Sequence, residues 1–256
     1  MPDRERTYRT DAVVLRRQDF GEADRLLLLL TPQHGKFRAI AKGVRKPAAR
    51  KTGHVELFSL VDMLIARGRE LQVVVQAETK EPFLPLREDL VRAGYANHVV
   101  ELLDRFTAEQ DPSQAEFDLL VNALGWLCGE TDPRLVARYY EVALLGLAGF
   151  APTLHYCAIG QEELEPRDQF FSPADGGAIC PDHHAGLDRG TPITLTALKT
   201  LRYMQTRSWE AVQVLNIGGP LHLELERLML AYITYLLEQR LQSVEFLRRL
   251  RREDIH

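Results

Sequence analysis

Residues 12–46, AVVLRRQDFGEADRLLLLLTPQHGKFRAIAKGVRK, decide the reading of the fold. Ala12-Val13-Val14-Leu15 is a short β-rich run, Arg25–Thr31 contains five consecutive leucines, and Phe37, Ala39 and Ala41 alternate with Arg38, Ile40 and Lys42. Gln33-His34-Gly35-Lys36 reads as a hairpin turn, with Gly35 able to take a positive φ. Phe58–Ala66 and Leu71–Ala77 are two further strand candidates, joined by Arg67-Gly68-Arg69-Glu70. Several short strands with turn signals, all within about 75 residues, predict a small closed barrel. Phe20-Gly21-Glu22-Ala23-Asp24-Arg25 reads as a compact polar turn held by a salt bridge. The Gly/Pro/Ala/basic stretch between Lys42 and His54 is too polar for a core and predicts a mobile loop at the barrel rim.

Charge singles out the same region. Lys36, Arg38, Lys42, Arg45, Lys46, Arg50 and Lys51 fall within sixteen residues that contain no Asp or Glu. Residues 1–80 hold 16 basic and 10 acidic residues, a net of +6, whereas residues 81–256 hold 16 and 26, a net of −10. A basic head on an acidic body suits a polyanion, because each cation placed near a phosphate releases a condensed counterion. These seven residues are the candidate nucleic-acid contacts. The competing explanation is a solvated charge run on a loop.

From Leu86 the hydrophobic period changes to that of helices. Leu90, Ala93, Ala96, Val99, Val100, Leu102, Leu103 and Phe106 share a face. Ser113-Gln-Ala-Glu116 is a capping box, and Asp132-Pro133 marks the start of a helix running to about Leu147. Thr194–Gln205 and Leu221–Leu241 are further helices, the last continuing into Arg248-Arg249-Leu250-Arg251-Arg252. The expected organisation is α+β, with a barrel domain over 1–80 and a helical domain over 81–256. No stretch reaches the roughly 18 apolar residues of a membrane span. MPDRERTYRTD has no apolar stretch for a secretory leader, and three cysteines make no disulfide framework. The expectation is a protein of a reducing cytoplasm.

Cys157–His184 forms a non-helical insert rich in metal-ligand types: Cys157, Cys180, His183 and His184, with His155 nearby. Structural zinc takes four N or S ligands, usually from two short-spaced pairs. Cys180-x-x-His183 is one such pair, but Gly160 stands where a partner of Cys157 belongs. The alternative is an insert held by Phe170, Phe171 and Leu164 with its cysteines simply buried. Cys128 reads as a core residue. No phosphate-binding GxxxxGK[ST] loop and no GxSxG nucleophile elbow occur, so no catalytic residues are assigned. A zinc enzyme with Cys157, Cys180 and His183 as ligands and Glu162 or Glu163 as base is a different class of reading. It requires an open fourth position in a cleft. An RNA-binding module would carry the same charge pattern.

Taken together, the 12–46 segment and the half-sites GFAPTLHYCAIG (149–160) and GGAICPDHH (176–184) resemble the bacterial RecO family over nearly the whole chain. The resemblance implies an OB-fold barrel followed by a helical domain with a zinc-finger-like insert at about 152–192. It also implies binding of single- and double-stranded DNA and annealing of complementary strands. The implied partners are RecR and single-strand-binding protein, with RecA loaded indirectly, at the nucleoid and away from membranes. Cys157 and Cys180 match the first and third positions of the family's four-cysteine pattern. Gly160 and His183 replace the second and fourth, leaving His184 the favoured fourth ligand over His155.

Overall fold

The computed structural model describes residues 6–46, 52–69, 71–186 and 190–253. Arg50 and Lys51 lie outside these. The chain divides into two compact units, Met1–Gly129 and Glu130–His256.

The first unit starts with β1 (Thr7–Phe20), β2 (Asp24–Thr31), β3 (Gly35–Ala41), β4 (Leu60–Ala66) and β5 (Gln72–Glu81). They close a barrel in the order β1-β2-β3-β5-β4, with β1 pairing back onto β4. This five-stranded closure is that of an OB barrel. Strand β1 is long enough to serve both neighbours because its register with β2 shifts between Val14 and Arg16, a bulge of the kind that bends strands around barrels. The five-leucine run alternates as a strand must. Leu27 and Leu29 join Val14, Phe37, Ala39, Met63 and Ile65 in the core, while Leu26 and Leu28 are only half-buried. Each buried leucine contributes about 1.5–3 kcal/mol. Gly35 takes φ 63 at the predicted hairpin turn.

Three helices complete this unit: α1 (Pro85–Glu88), α2 (Leu90–Phe106) and α3 (Gln114–Cys128). The single helix expected from Leu86 is interrupted at Asp89. Its carboxylate accepts from the Val91 and Arg92 N–H groups and starts α2 afresh, as an N-cap does. Ser113 caps α3 through Glu116 N–H. Hydrophobic period and compactness divide the chain differently. The period changes near residue 81, but packing is broken only after Gly129. Cys128 is half-buried and its thiol is pushed up by burial.

Lys36 is central to that packing. The residue is 5% exposed, and Nζ donates to Asp104 O at 2.6 Å, Asp104 Oδ1 at 2.8 Å and Thr107 O at 2.9 Å. All three ammonium protons are thereby used at the C-terminal end of α2, where a cation is favoured. Lys36→Met is expected to destabilise the protein by about 2–4 kcal/mol, because it strands buried acceptors and leaves Asp104 with Arg16 as its remaining cation. Chemical denaturation of the full chain measures this. A change below about 0.5 kcal/mol, the range of ordinary surface substitutions, would show the pair to be idle.

The second unit contains α4 (Pro133–Leu147), the three-stranded sheet β6 (Gln169–Ser172), β7 (Gly177–Ile179) and β8 (Thr191–Ile193), and α5 (Pro181–His184). Then follow α6 (Leu195–Thr206), α7 (Trp209–Val212), α8 (Gly219–Leu237) and α9 (Gln242–Glu253). Asp132 and Thr194 cap α4 and α6 with their side chains. Helices α4, α6 and α8 pack mutually around Tyr140, Leu144, Leu198, Leu201, Leu225 and Met229. The long C-terminal helix expected from Leu221 is two helices. Glu238, at φ 52, ends α8 in the left-handed conformation, and α9 restarts at Gln242. No helix among the described residues is long and apolar enough to cross a membrane.

Candidate nucleic-acid interface and metal centre

The basic stretch is sorted by its own local chemistry. In Lys42-Gly43-Val44-Arg45-Lys46, Val44 is fully buried in the barrel core. Gly43 donates to Asp24 Oδ1 at 2.7 Å, and Arg45 N–H donates to Ala23 O at 2.9 Å. The polar turn at residues 20–25 therefore anchors the basic loop. Asp19, next to this turn at the end of β1, lies 3.3 Å from Arg45 Nε and 3.1 Å from Arg25 Nε. Lys42 and Lys46 stay exposed on either side of the Val44 plug. Arg38 projects from β3 with its side chain 71% exposed, 3.5 Å from Glu109. Lys36 is a correction to the expected set, because a buried ammonium already bonded three times has nothing left for a phosphate. Phe37 belongs to the core and offers no ring to a base.

The metal-ligand types converge in the second unit. The backbone of 153–158 runs beside β7, with Ala158 N–H donating to Ala178 O at 2.8 Å and Thr153 bridging Gly177. This brings the Cys157–Gly160 turn against the Cys180–His183 turn. Each thiol sulfur accepts a backbone N–H three residues on, Gly160 N at 3.4 Å and His183 N at 3.5 Å. His183 Nδ1 lies 3.7 Å from Cys157 Sγ and 3.2 Å from Cys180 Sγ. Glu162 Oε1 lies 3.0 Å from Cys180 Sγ and 3.0 Å from His183 Nδ1. One donor atom from each of the four lies within 4.8 Å of all the others. Tetrahedral zinc with S, N and O ligands separates its donors by about 3.3–3.8 Å, so these four residues could hold such an ion with little adjustment.

The fourth donor is Glu162, which corrects the expectation of His184. The His184 ring instead stacks on Phe170, with centroids 3.5 Å apart and planes 1° from parallel. His155 is exposed and outside the cluster. Gly160 explains the exchange. A Cβ at that position would lie 2.7 Å from His183 Nδ1 and would collide with Glu162 Oε2. The lack of a side chain at 160 leaves the space that Glu162 and His183 fill. The sequence pattern C-x-x-G-x-E does contain this signal, since a carboxylate two residues beyond an empty ligand position can reach back across the turn.

The electrostatics of the cluster suit a cation. The thiol of Cys180 donates to the Glu162 carboxylate, which this bond first and the residue's own N–H next hold down at about 2. Burial, then the facing carboxylate, push Cys180 up to about 11. Cys180 is thus a thiol in this arrangement, and a cation set between its sulfur and the carboxylate would favour its ionisation. The insert also has apolar support. Phe171 is buried and meets Tyr232 edge-on at 5.6 Å, and Leu164 is buried.

A groove of about 710 Å³ between α4 and α6 is floored by Val142, Leu147, Leu154 and Met204, with Arg207 at its rim. Arg202 donates to Leu154 O at 2.8 Å, so its guanidinium is committed to the fold.

Comparison with known proteins agrees with this architecture. Residues 5–83 match the family model "Recombination protein O N terminal", and residues 87–245 match "Recombination protein O C terminal". A DNA repair protein RecO from Roseiflexus sp. (strain RS-1) is 40% identical over 245 residues, covering 95% of this chain and 86% of that protein. Its namesake from Desulforamulus reducens is 37% identical over 252 residues, 97% of this chain and 96% of the relative. A third, from Moorella thermoacetica, is 36% identical over 241 residues. The two family models cover the barrel and the helical region in turn, and the chain belongs to the RecO family.

Proposed function

We propose that this protein is a recombination mediator in DNA repair. It binds single- and double-stranded DNA through backbone phosphates, anneals complementary strands and, with RecR, helps load RecA onto strands covered by single-strand-binding protein. The observation that carries this reading is the set of exposed cations Arg38, Lys42 and Lys46, rooted on an OB barrel by the buried Val44 and the Asp24–Gly43 bond. A phosphate-dominated contact gives low sequence preference, which a protein that gathers strands and then releases them as duplex requires. Annealing of complementary oligonucleotides by the purified protein over a salt series tests it. No acceleration at low salt would overturn the annealing role.

The Cys157, Glu162, Cys180 and His183 cluster is a structural zinc site in this reading. Four protein donors complete the tetrahedron, and a closed site holds a fold together, whereas a catalytic one keeps a position for water. Glu162, the base of an enzymatic alternative, is itself a ligand here. The chain is a binding protein without a catalytic centre, working at the nucleoid in the cytoplasm.

The family resemblance implies the acidic, apolar-tipped tail of single-strand-binding protein as a ligand. The α4–α6 groove suits it, with an apolar floor for the tip and Arg207 for a carboxylate. A tail peptide titrated calorimetrically into the full chain should bind, and Arg207→Glu should weaken it by about tenfold or more, the loss of one charge-assisted bond. Equal affinity for parent and variant would remove the groove from consideration.

A further inference from the structure

A second cluster lies at the other end of the β1–β2–β3 meander from the Lys42–Lys46 loop. Thr7 pairs with Ala66, and Arg67 N–H donates to Arg6 O at 2.9 Å, so the start of β1 meets the β4–β5 loop. The β2–β3 turn joins them. Tyr8 and His34 stand with ring centroids 4.1 Å apart, and Thr10 Oγ1 donates to Gln33 Oε1 at 3.0 Å. The Arg67 guanidinium sits 5.0 Å above the Tyr8 ring. Arg6, Arg67 and Arg69 are all exposed.

Most arginines of this barrel are matched by acids: Arg9 with Asp62, Arg16 with Asp104, Arg17 with Glu56, and Arg25 and Arg45 with Asp19. Among the described residues, Arg6, Arg67 and Arg69 have no carboxylate partner. The Arg67 guanidinium over the Tyr8 ring thus has no carboxylate beside it among the described residues, and an arriving anion would be favoured there. Tyr8 packs on the barrel core, so it serves as a fixed platform. The imidazole of His34 is held below its ordinary value by burial and then by Arg67, so at neutral pH it offers a flat uncharged face. Planar guanidinium and imidazole faces are surfaces on which unpaired bases stack, while adjacent cations track the backbone. A base inside a duplex cannot reach them.

We propose that this end of the barrel is a second nucleic-acid subsite, specific for unpaired nucleotides. Arg6, Arg67 and Arg69 contact phosphates, and the faces of His34 and Arg67 turned away from Tyr8 stack a base. The proposal rests on the DNA-binding reading above and adds a contact that separates single strands from duplex, which the exposed cations of the Lys42–Lys46 loop cannot do.

The test compares oligo-dT with an abasic strand of equal length, binding to the full chain over a salt series. His34→Ala and Arg67→Lys are expected to weaken oligo-dT binding by about fivefold or more, the loss of one stacked base. Both should leave the abasic strand within about twofold, because the phosphate charges are intact. Arg67→Ala should weaken both strands and flatten the log–log salt slope by about 0.7. A thermal melt of each variant establishes that it is folded, and Arg67→Lys, at an exposed position, keeps the test open should His34→Ala be unstable. A parent that binds both strands, with variants that match it or lose affinity for both alike, overturns the subsite alone. A parent that binds neither strand overturns the subsite and the DNA-binding reading together.

Discussion

Glu162→Ala is expected to lower zinc affinity by about a hundredfold or more, and Gly160→Cys alone is expected to lower it rather than restore a lost ligand. The reason is steric. A side chain at 160 enters the space occupied by Glu162 Oε2 and the His183 ring, so a cysteine there displaces existing donors before it can offer its own. The double variant Gly160→Cys/Glu162→Ala removes the carboxylate from that space, leaves only the His183 ring to shift, and supplies three thiolates and an imidazole, a common structural set. It should bind zinc at least as tightly as the parent. The two substitutions are thus individually harmful and jointly neutral or better, a sign reversal that only residues sharing one site produce. The magnitude follows from apparent zinc-binding free energies of about 10–16 kcal/mol in small zinc domains, of which one ligand in four carries about 3. His184→Ala should leave zinc affinity unchanged, because His184 stacks on Phe170 outside the cluster. Elemental analysis of protein purified without chelator, followed by competition against a chromophoric chelator, measures all four. Zinc below a tenth of an equivalent in the parent would reject the site. Parent-like affinity in Glu162→Ala, with loss in His184→Ala, would return the fourth position to histidine.

Most of the fold was legible because the barrel strands follow simple periods. The five-leucine run, the Gly35 turn and the alternation through Phe37–Lys42 are local signals, and the core accepted them with Leu27, Leu29, Phe37, Ala39 and Ala41 inside. What failed to show in sequence depended on partners distant along the chain. Lys36 looks like any other cation of its run until Asp104 and Thr107 arrive 68 and 71 residues later to take its protons. The α8–α9 break turns on one residue, Glu238, adopting a left-handed backbone that nothing in its identity announces. In the Cys/His cluster, Cys180 and His183 were identifiable by type and spacing and Cys157 by type alone. Glu162 was not, because an acid in a polar loop is ordinarily solvated. Only the space left open by Gly160 shows that the Glu162 carboxylate reaches the two sulfurs and the His183 ring. The Tyr8–His34–Arg67 cluster likewise draws on three separate strand ends, none of them notable alone.

Replacing Arg38, Lys42 and Lys46 together by Ala is expected to flatten the salt dependence of single-strand binding by about 2 units on a log–log plot, since each phosphate contact contributes about 0.7. On duplex DNA the same variant should lose about 2.7 units, because counterions are condensed more densely there and each contact contributes about 0.9. A fourfold rise in salt would then cost the parent about sixteenfold more single-strand affinity than the variant. Arg45 is left out of the set because Asp19 and Gly21 O already hold its guanidinium, and replacing it would disturb the loop anchor as well as the charge. Lys36 is left out because its loss acts through stability. The contrast is itself part of the test. Lys36→Met should change the denaturation midpoint and leave the salt slope of the folded protein alone. The triple variant should do the reverse, its three side chains being exposed. Weakened binding with an unchanged slope would mean that the three cations do not touch phosphates, and the OB-barrel rim would then have to hold DNA through some other surface.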